Sequence, residues 1–195
     1  TMRKIREIAN KHHAKIHLDG ARLFHAAAYL NVTADKICQY ADSVMFCVSK
    51  GLGAPVGSLL CGSAEFCLEA RKTRKLFGGV MRQAGVIAAP ALYALKHNID
   101  RLGEDIENAR LIFNKLNGHL NKIILQEEAQ TNILMLDLSN AGILADAFCE
   151  KAKEMGLLIR PIRSQYKVRL VLYKGISKQD ALTAADIILA LDQSL

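Results

Sequence analysis

Two residues of this chain, Asp19 and Lys50, each close a short run of apolar and β-branched residues, and each is followed at once by glycine. Lys50 ends Asp42-Ser-Val-Met-Phe-Cys-Val-Ser-Lys50 and opens Gly51-Leu-Gly-Ala-Pro-Val-Gly57-Ser58. Such a run, broken by glycines behind a single lysine, reads as a buried strand that delivers an amine to its end. In open α/β sheets ligands sit beyond the carboxyl ends of the strands, so Lys50 is expected to face a crevice. Partial desolvation disfavours an ammonium and leaves free amine to attack a carbonyl, which suits Schiff-base chemistry. A strand-end lysine reaching out to water would share the same local pattern. Asp19 ends Ala14-Lys-Ile-His-Leu-Asp19, and Arg22 lies three residues beyond it.

In a parallel sheet both strand ends face one edge, so an aspartate, a lysine and an arginine would converge there. That set meets the needs of pyridoxal 5'-phosphate. A carboxylate keeps the pyridine nitrogen protonated, a lysine holds the aldehyde covalently, and the ring then draws electrons from the substrate α-carbon.

Other polar residues have plainer readings. His17 alternates with Ile16 and Leu18 and is expected to be a hydrogen-bonded packing residue. His12 and His13 are neighbours, without the i, i+4 spacing of a metal pair. Asp35 and Asp42 fit a helix surface and a strand start, and Arg160 and Arg163 fit strand-end or turn charges. Cys47 and Cys61 fit small core positions.

The net charge is +7, and its densest stretch is Arg71-Lys-Thr-Arg-Lys75, with Arg82 soon after. No aromatic residues interleave with these charges and no nucleic-acid-binding motif is present, so nucleic acid is not an expected partner. A cofactor phosphate, a subunit interface or a solvated helix face would each use such a run. The five cysteines are odd in number and lack CxxC spacing. No disulfide framework or metal site is therefore expected, and a reducing, cytoplasmic setting is. No apolar stretch approaches the roughly 20 residues that span a bilayer, and the charged N-terminal pattern is not that of a signal peptide. The expectation is a soluble protein with no membrane partner.

The elements that must position these residues follow from periodicity. A helix is expected over residues 2–13, a strand over 14–19, a helix near 33–40 with Thr33 as cap, and a strand running to Lys50. Strand 58–62 and helices 65–76 and 82–96 complete a module whose strand–helix alternation predicts a largely parallel sheet. Composition shifts near His97-Asn-Ile-Asp100, which puts a boundary between residues 1–97 and 98–195. The second module reads as a long helix over 99–120, strands 131–138, 157–162 and 167–173, helix 144–155 and a terminal helix from Ser177, a small α+β domain.

Three ordered motifs, His17-Leu-Asp-Gly-Ala-Arg22-Leu-Phe, Phe46-Cys-Val-Ser-Lys-Gly-Leu-Gly-Ala-Pro-Val-Gly-Ser58 and Lys75-Leu-Phe-Gly-Gly-Val-Met-Arg-Gln83, resemble those of the low-specificity L-threonine aldolases, which are fold type I pyridoxal-phosphate enzymes. Thr131-Asn-Ile-Leu-Met-Leu-Asp137 and Val168-Arg-Leu-Val171 extend the resemblance over nearly the whole chain. It implies an α/β fold, the second half of a large pyridoxal-phosphate domain followed by a small C-terminal domain. The family's chains are longer, with a phosphate loop and a ring-stacking histidine before the first motif, so the chain looks like a C-terminal half.

The resemblance implies that Lys50 carries the cofactor, Asp19 meets the pyridine nitrogen, and Ala21 packs against the ring. It gives Arg22 the phenolic-oxygen side and the substrate carboxylate, and Arg169 the second carboxylate contact. Lys75 and Arg82 match basic positions near the phosphate across a dimer interface. The implied reaction is retro-aldol cleavage of a β-hydroxy amino acid to glycine and an aldehyde by a homodimer or homotetramer. A β-eliminating lyase, an aminotransferase or a non-catalytic fragment would share the lysine and aspartate. Two positions depart from the family pattern, Val80 in place of a third glycine and Tyr173 where many members have histidine.

Overall fold

The computed structural model describes residues 1–125 and 128–195, arranged as two compact units, Thr1–Leu102 and Gly103–Leu195. In the first unit α1 (Met2–Lys11) leads to β1 (His17–Asp19), α2 (Leu23–Leu30), α3 (Ala34–Cys38) and β2 (Ser43–Cys47). β3 (Ser58–Cys61), α4 (Ala64–Leu76) and α5 (Gly85–His97) follow. The sheet order is β1-β2-β3. β1 and β2 are parallel, with Asp19 opposite Met45, whereas β3 runs antiparallel to β2. The parallel character expected from the strand–helix alternation thus holds for one pair. Between Val48 and Gly57 the chain is shorter than the crossover of about a dozen residues that a parallel neighbour needs, so it returns beside the strand it left.

α1 presents mostly polar residues to solvent and is tied to the sheet by one carboxylate. Asp42 accepts from the Arg6 guanidinium at 2.7 Å, from the Ile16 backbone N–H at 2.8 Å and from Lys15 at 3.3 Å. The backbone N–H and the two cations hold its carboxyl far below the ordinary carboxylate range. The residue expected merely to start a strand is the knot between α1, β1 and β2. The main core cluster of this unit comprises Val48, Leu52, Ala54, Ala94 and Leu102, flanked by Phe24, Phe46, Ala91, Leu95 and Ile99, and Ala9, Leu23, Ala27 and Val44 are buried outside that cluster.

The second unit comprises α6 (Leu102–Leu116) from its second residue on, β4 (Ile124–Leu125), β5 (Ile133–Asp137), a 3-10 turn over Ser139–Ala141, α7 (Ala145–Glu154), β6 (Arg160–Pro161), β7 (Lys167–Val171) and α8 (Lys178–Ser194). Its antiparallel sheet has the order β4-β5-β7-β6. Leu134, Leu136, Val168 and Leu170 alternate onto one face and meet Ile112 and Leu116 of α6, Phe148 and Ala152 of α7, and Ala185 and Ile188 of α8. The α+β expectation describes this unit. The strand expected over 157–162 shrinks to Arg160–Pro161, since Pro161 has no N–H for the ladder and Leu157–Ile159 leave the edge of β7. α8 opens with the capping box of Ser177 and Asp180. Near its end, buried Asp192 accepts the backbone N–H groups of Asn121, Lys122 and Ile123 at 2.7, 2.9 and 2.7 Å.

Candidate active site

β2 ends at Cys47, so Lys50 stands in the bend beyond the strand and not at its last residue. The bend is anchored from both sides. Val48 and Leu52 are buried to 1% and 2% exposure, while Lys50 between them is exposed. Backbone bonds run from Gly53 N–H to the Lys50 carbonyl and from Ala54 N–H to the Val48 carbonyl, both 2.9 Å. Apolar burial on either side of a polar residue forces the chain to turn and present the amine outward. The expected burial of Lys50 itself is not provided by the first unit.

Three residues that local pattern did not single out hold this bend. The buried Asn98 side chain donates to the Leu52 carbonyl at 2.6 Å, and the Arg101 guanidinium donates to the Gly51 carbonyl at 3.4 Å. His25, 2% exposed, lies against Gly51, and a Cβ built on Gly51 would fall 1.9 Å from its Cε1. Glycine is required there by close approach.

Asp19 lies at the end of β1, in the sheet position next to β2. Its Oδ1 accepts the Ala21 backbone N–H at 3.1 Å. The turn after it is pressed onto β2. Gly20 N–H donates to the Met45 carbonyl at 2.7 Å, and a Cβ on Gly20 would meet that oxygen at 2.8 Å. α2 then bridges the two loops, since Phe24 packs edge-on against Phe46 with ring centroids 5.3 Å apart and His25 touches Gly51. The loops bearing Asp19 and Lys50 therefore leave the same edge of a parallel pair and are tied together by one helix. Arg22, at the N-cap of α2, and Ala21 are half-buried.

These residues fit pyridoxal phosphate on two observations. Among the described residues Lys50 makes no ion pair or side-chain hydrogen bond, and Oδ2 of Asp19 has no partner, so an amine and a carboxylate oxygen are both available. Lys75, in the last turn of α4, and Arg82, in the loop before α5, are exposed and make no such contact among the described residues either. Arg169 lies in β7 of the second unit, exposed, opposite Met135 on one side and Arg160 on the other.

The plainer expectations divide. His17 Nδ1 does pair with Ser43 Oγ at 2.9 Å, but its side chain is exposed and packs no core. Cys47 is half-buried, whereas Cys61 is exposed, because nothing in the first unit covers that part of β3. Arg160, expected to be a strand-end charge, sits directly across from Arg169.

A family model described as Beta-eliminating lyase matches residues 1–141. A provisionally named low-specificity L-threonine aldolase 2 from Arabidopsis thaliana is 40% identical over 178 residues, covering 91% of this chain and 50% of that one. The low specificity L-threonine aldolase of Escherichia coli strain K12 is 36% identical over 173 residues, 89% of this chain and 50% of that one. A solved structure of a provisionally assigned L-allo-threonine aldolase from Listeria monocytogenes EGD-E superimposes with a TM-score of 0.80 at 22% identity, covering 100% of this chain and 56% of that one. This last likeness speaks for the fold alone. The chain spans about half the length of the curated relatives it matches.

Proposed function

The chain belongs to the Beta-eliminating lyase family, and from that premise we propose that it carries the lysine-bearing part of a pyridoxal-phosphate lyase of the threonine aldolase type, splitting threonine or allo-threonine into glycine and acetaldehyde. The observation that carries this reading is the pinned bend that offers, beside the Asp19 loop, a Lys50 amine with no partner among the described residues. When bound, the cofactor supplies an electron sink for the pair of electrons left by Cα–Cβ cleavage.

The chain's own residues supply the rest. Lys50 would hold the cofactor through its amine. Asp19, with one oxygen fixed by the Ala21 N–H, keeps a proton on the pyridine nitrogen through the other. Ala21 leaves room for the ring face. Arg22 and Arg169 orient the substrate carboxylate, for which a planar two-donor fork is matched. Lys75 and Arg82 serve the cofactor phosphate within a homodimer or homotetramer. No helix among the described residues is long and apolar enough to cross a membrane, and a cytoplasmic site of action belongs to the same reading.

The test is borohydride reduction of the cofactor-loaded protein, with peptide mass analysis. The reduced cofactor is expected on Lys50 and absent from a Lys50→Ala variant that keeps its circular dichroism. Attachment to another lysine would overturn the assignment. Product analysis with threonine then separates glycine plus acetaldehyde from the 2-oxobutanoate of an eliminating lyase.

A further inference from the structure

β6 pairs with β7 at two positions only, Arg160 facing Arg169 and Pro161 facing Val168. Continued back along the chain, that antiparallel register would set Ile159 against Leu170, Leu158 against Val171 and Leu157 against Leu172. Alternation puts Ile159 and Leu157 on the core side with Leu170 and Leu172, and Leu158 on the outer side with Arg160 and Arg169. The side chains already lean that way. Leu157 and Ile159 are half-buried against the core, whereas Leu158 is 80% exposed. On the core side lies a cavity of about 520 Å³, walled by Leu170, Leu172, Ala184 and Ile187 and bordered by Leu157 and Ile159.

The edge of β7 beside this cavity is open. Leu172 N–H donates to the Asn132 carbonyl at 2.9 Å, toward β5, so alternation turns the Val171 N–H and carbonyl toward the β6 side. Leu158, which would meet them there, makes no backbone hydrogen bond among the described residues. An unpaired edge is a template for a further stretch of strand. The lower anchor of the segment is compatible with such pairing. Gly156, at φ +89°, turns the chain out of α7, and Leu157 N–H donates to the Ala152 carbonyl at 2.8 Å. In the continued register the backbone groups of Leu157 point away from β7, so that bond is kept.

We infer that Leu157–Ile159 is a strap that closes onto β7 by extending β6, with Ile159 and Leu157 filling the cavity and Leu158 exchanging backbone hydrogen bonds with Val171. The cavity is the room the strap leaves when it is open. Removal of two apolar side chains from water drives the closing, and two edge residues gain backbone partners. Closed, β7 has neighbours on both edges as far as Val171, two residues beyond Arg169, so the strap sets how firmly that arginine is held. This device stands whether or not the chain is a lyase.

The test is amide hydrogen exchange of the full chain, read at Leu158 and Val171. Closure should slow both amides at least about tenfold relative to an unstructured peptide. Ile159→Ser removes an apolar group bound for the cavity and should return both amides toward the unstructured rate. Leu158→Ser changes the outer face with its N–H intact and should leave Val171 as in the parent. Leu158→Pro removes the donor to Val171, should release the Val171 amide, and stands in if Ile159→Ser does not fold. Exchange of Leu158 at the unstructured rate in the parent overturns the strap. So does an equal response to Ile159→Ser and Leu158→Ser, because closure in this register depends on the inner residue and not on the outer one.

Discussion

At the residue scale the geometry turns on the contact between His25 and Gly51. The imidazole fills the space that a side chain on Gly51 would need, and Lys50 is covalently next to it. Gly51→Ala is therefore expected to destabilise the protein by about 1–3 kcal/mol through overpacking, and to reduce covalent loading of Lys50 because the bend must shift. The check is a double-mutant cycle of urea midpoints and borohydride-trapped cofactor. Adding His25→Ala should recover part of both losses, a coupling that two independent defects would not show. Asp19→Asn belongs to the same scale. The amide can still accept from Ala21 N–H but cannot hold a pyridinium charge, so the cofactor should stay bound while turnover drops at least about tenfold. Turnover equal to the parent would remove Asp19 from that role. Lys50 and Asp19 were legible in the sequence because each has a chemically telling type at the end of an apolar run. His25 was not, since it sits in an alanine-rich helix and its importance lies in a contact made across the fold.

At the element scale periodicity recovered most helices and strands, with α2 and β4 left unassigned, and the other misses share one cause. Whether β3 is parallel or antiparallel, how far β6 extends and which residue faces Arg169 all depend on pairing between distant segments, which an alternating pattern leaves open. Asn98 illustrates the same limit. It lies where composition shifts, yet its buried side chain secures the Leu52 carbonyl behind the Lys50 bend. Asp192 is the corresponding device in the second unit, fastening α8 to the Asn121–Ile123 turn. Burial alone would push its carboxyl pKa up, but three backbone N–H groups outweigh that and lower it. A carboxylate whose folded pKa lies below its unfolded value, about 3.9, stabilises the fold above that pH and loses the contribution as pH falls toward the folded value. Asp192→Asn places an amide donor against backbone donors. It should cost roughly 1–3 kcal/mol at neutral pH and flatten the decline in stability between about pH 4 and lower values. Urea titrations of both proteins across that range measure it, and parallel acid limbs would contradict the assignment.

At the scale of the whole molecule the two units are unequally provided for. The main core cluster of the first is the small one around Val48, Leu52 and Ala94, and the unit leaves Leu76 and Phe77 each 86% exposed, with Val86 67% exposed. The second closes three helices over one face of a four-stranded sheet, with Phe148, Leu136, Val168 and Ile188 fully buried. Stability scales with the apolar surface removed from water, at about 25 cal/mol per Å², so the second unit carries the larger share of its own folding free energy. Both a helix cap at Ser177 and the Asp192 fastening lie inside it. Residues 103–195 expressed alone are therefore expected to melt cooperatively. Residues 1–102 alone should bind a hydrophobic dye strongly, as exposed apolar patches of this kind do. Circular dichroism melts and dye fluorescence on the two pieces make the comparison. A gradual, non-cooperative melt of residues 103–195 would mean that this core needs the rest of the chain to hold its packing. Substituting Phe148→Ala in that piece should then be compared. In an independently folded unit it should lower the midpoint by the equivalent of about 3–5 kcal/mol, the cost of an emptied aromatic site, whereas a loosely packed one would lose far less.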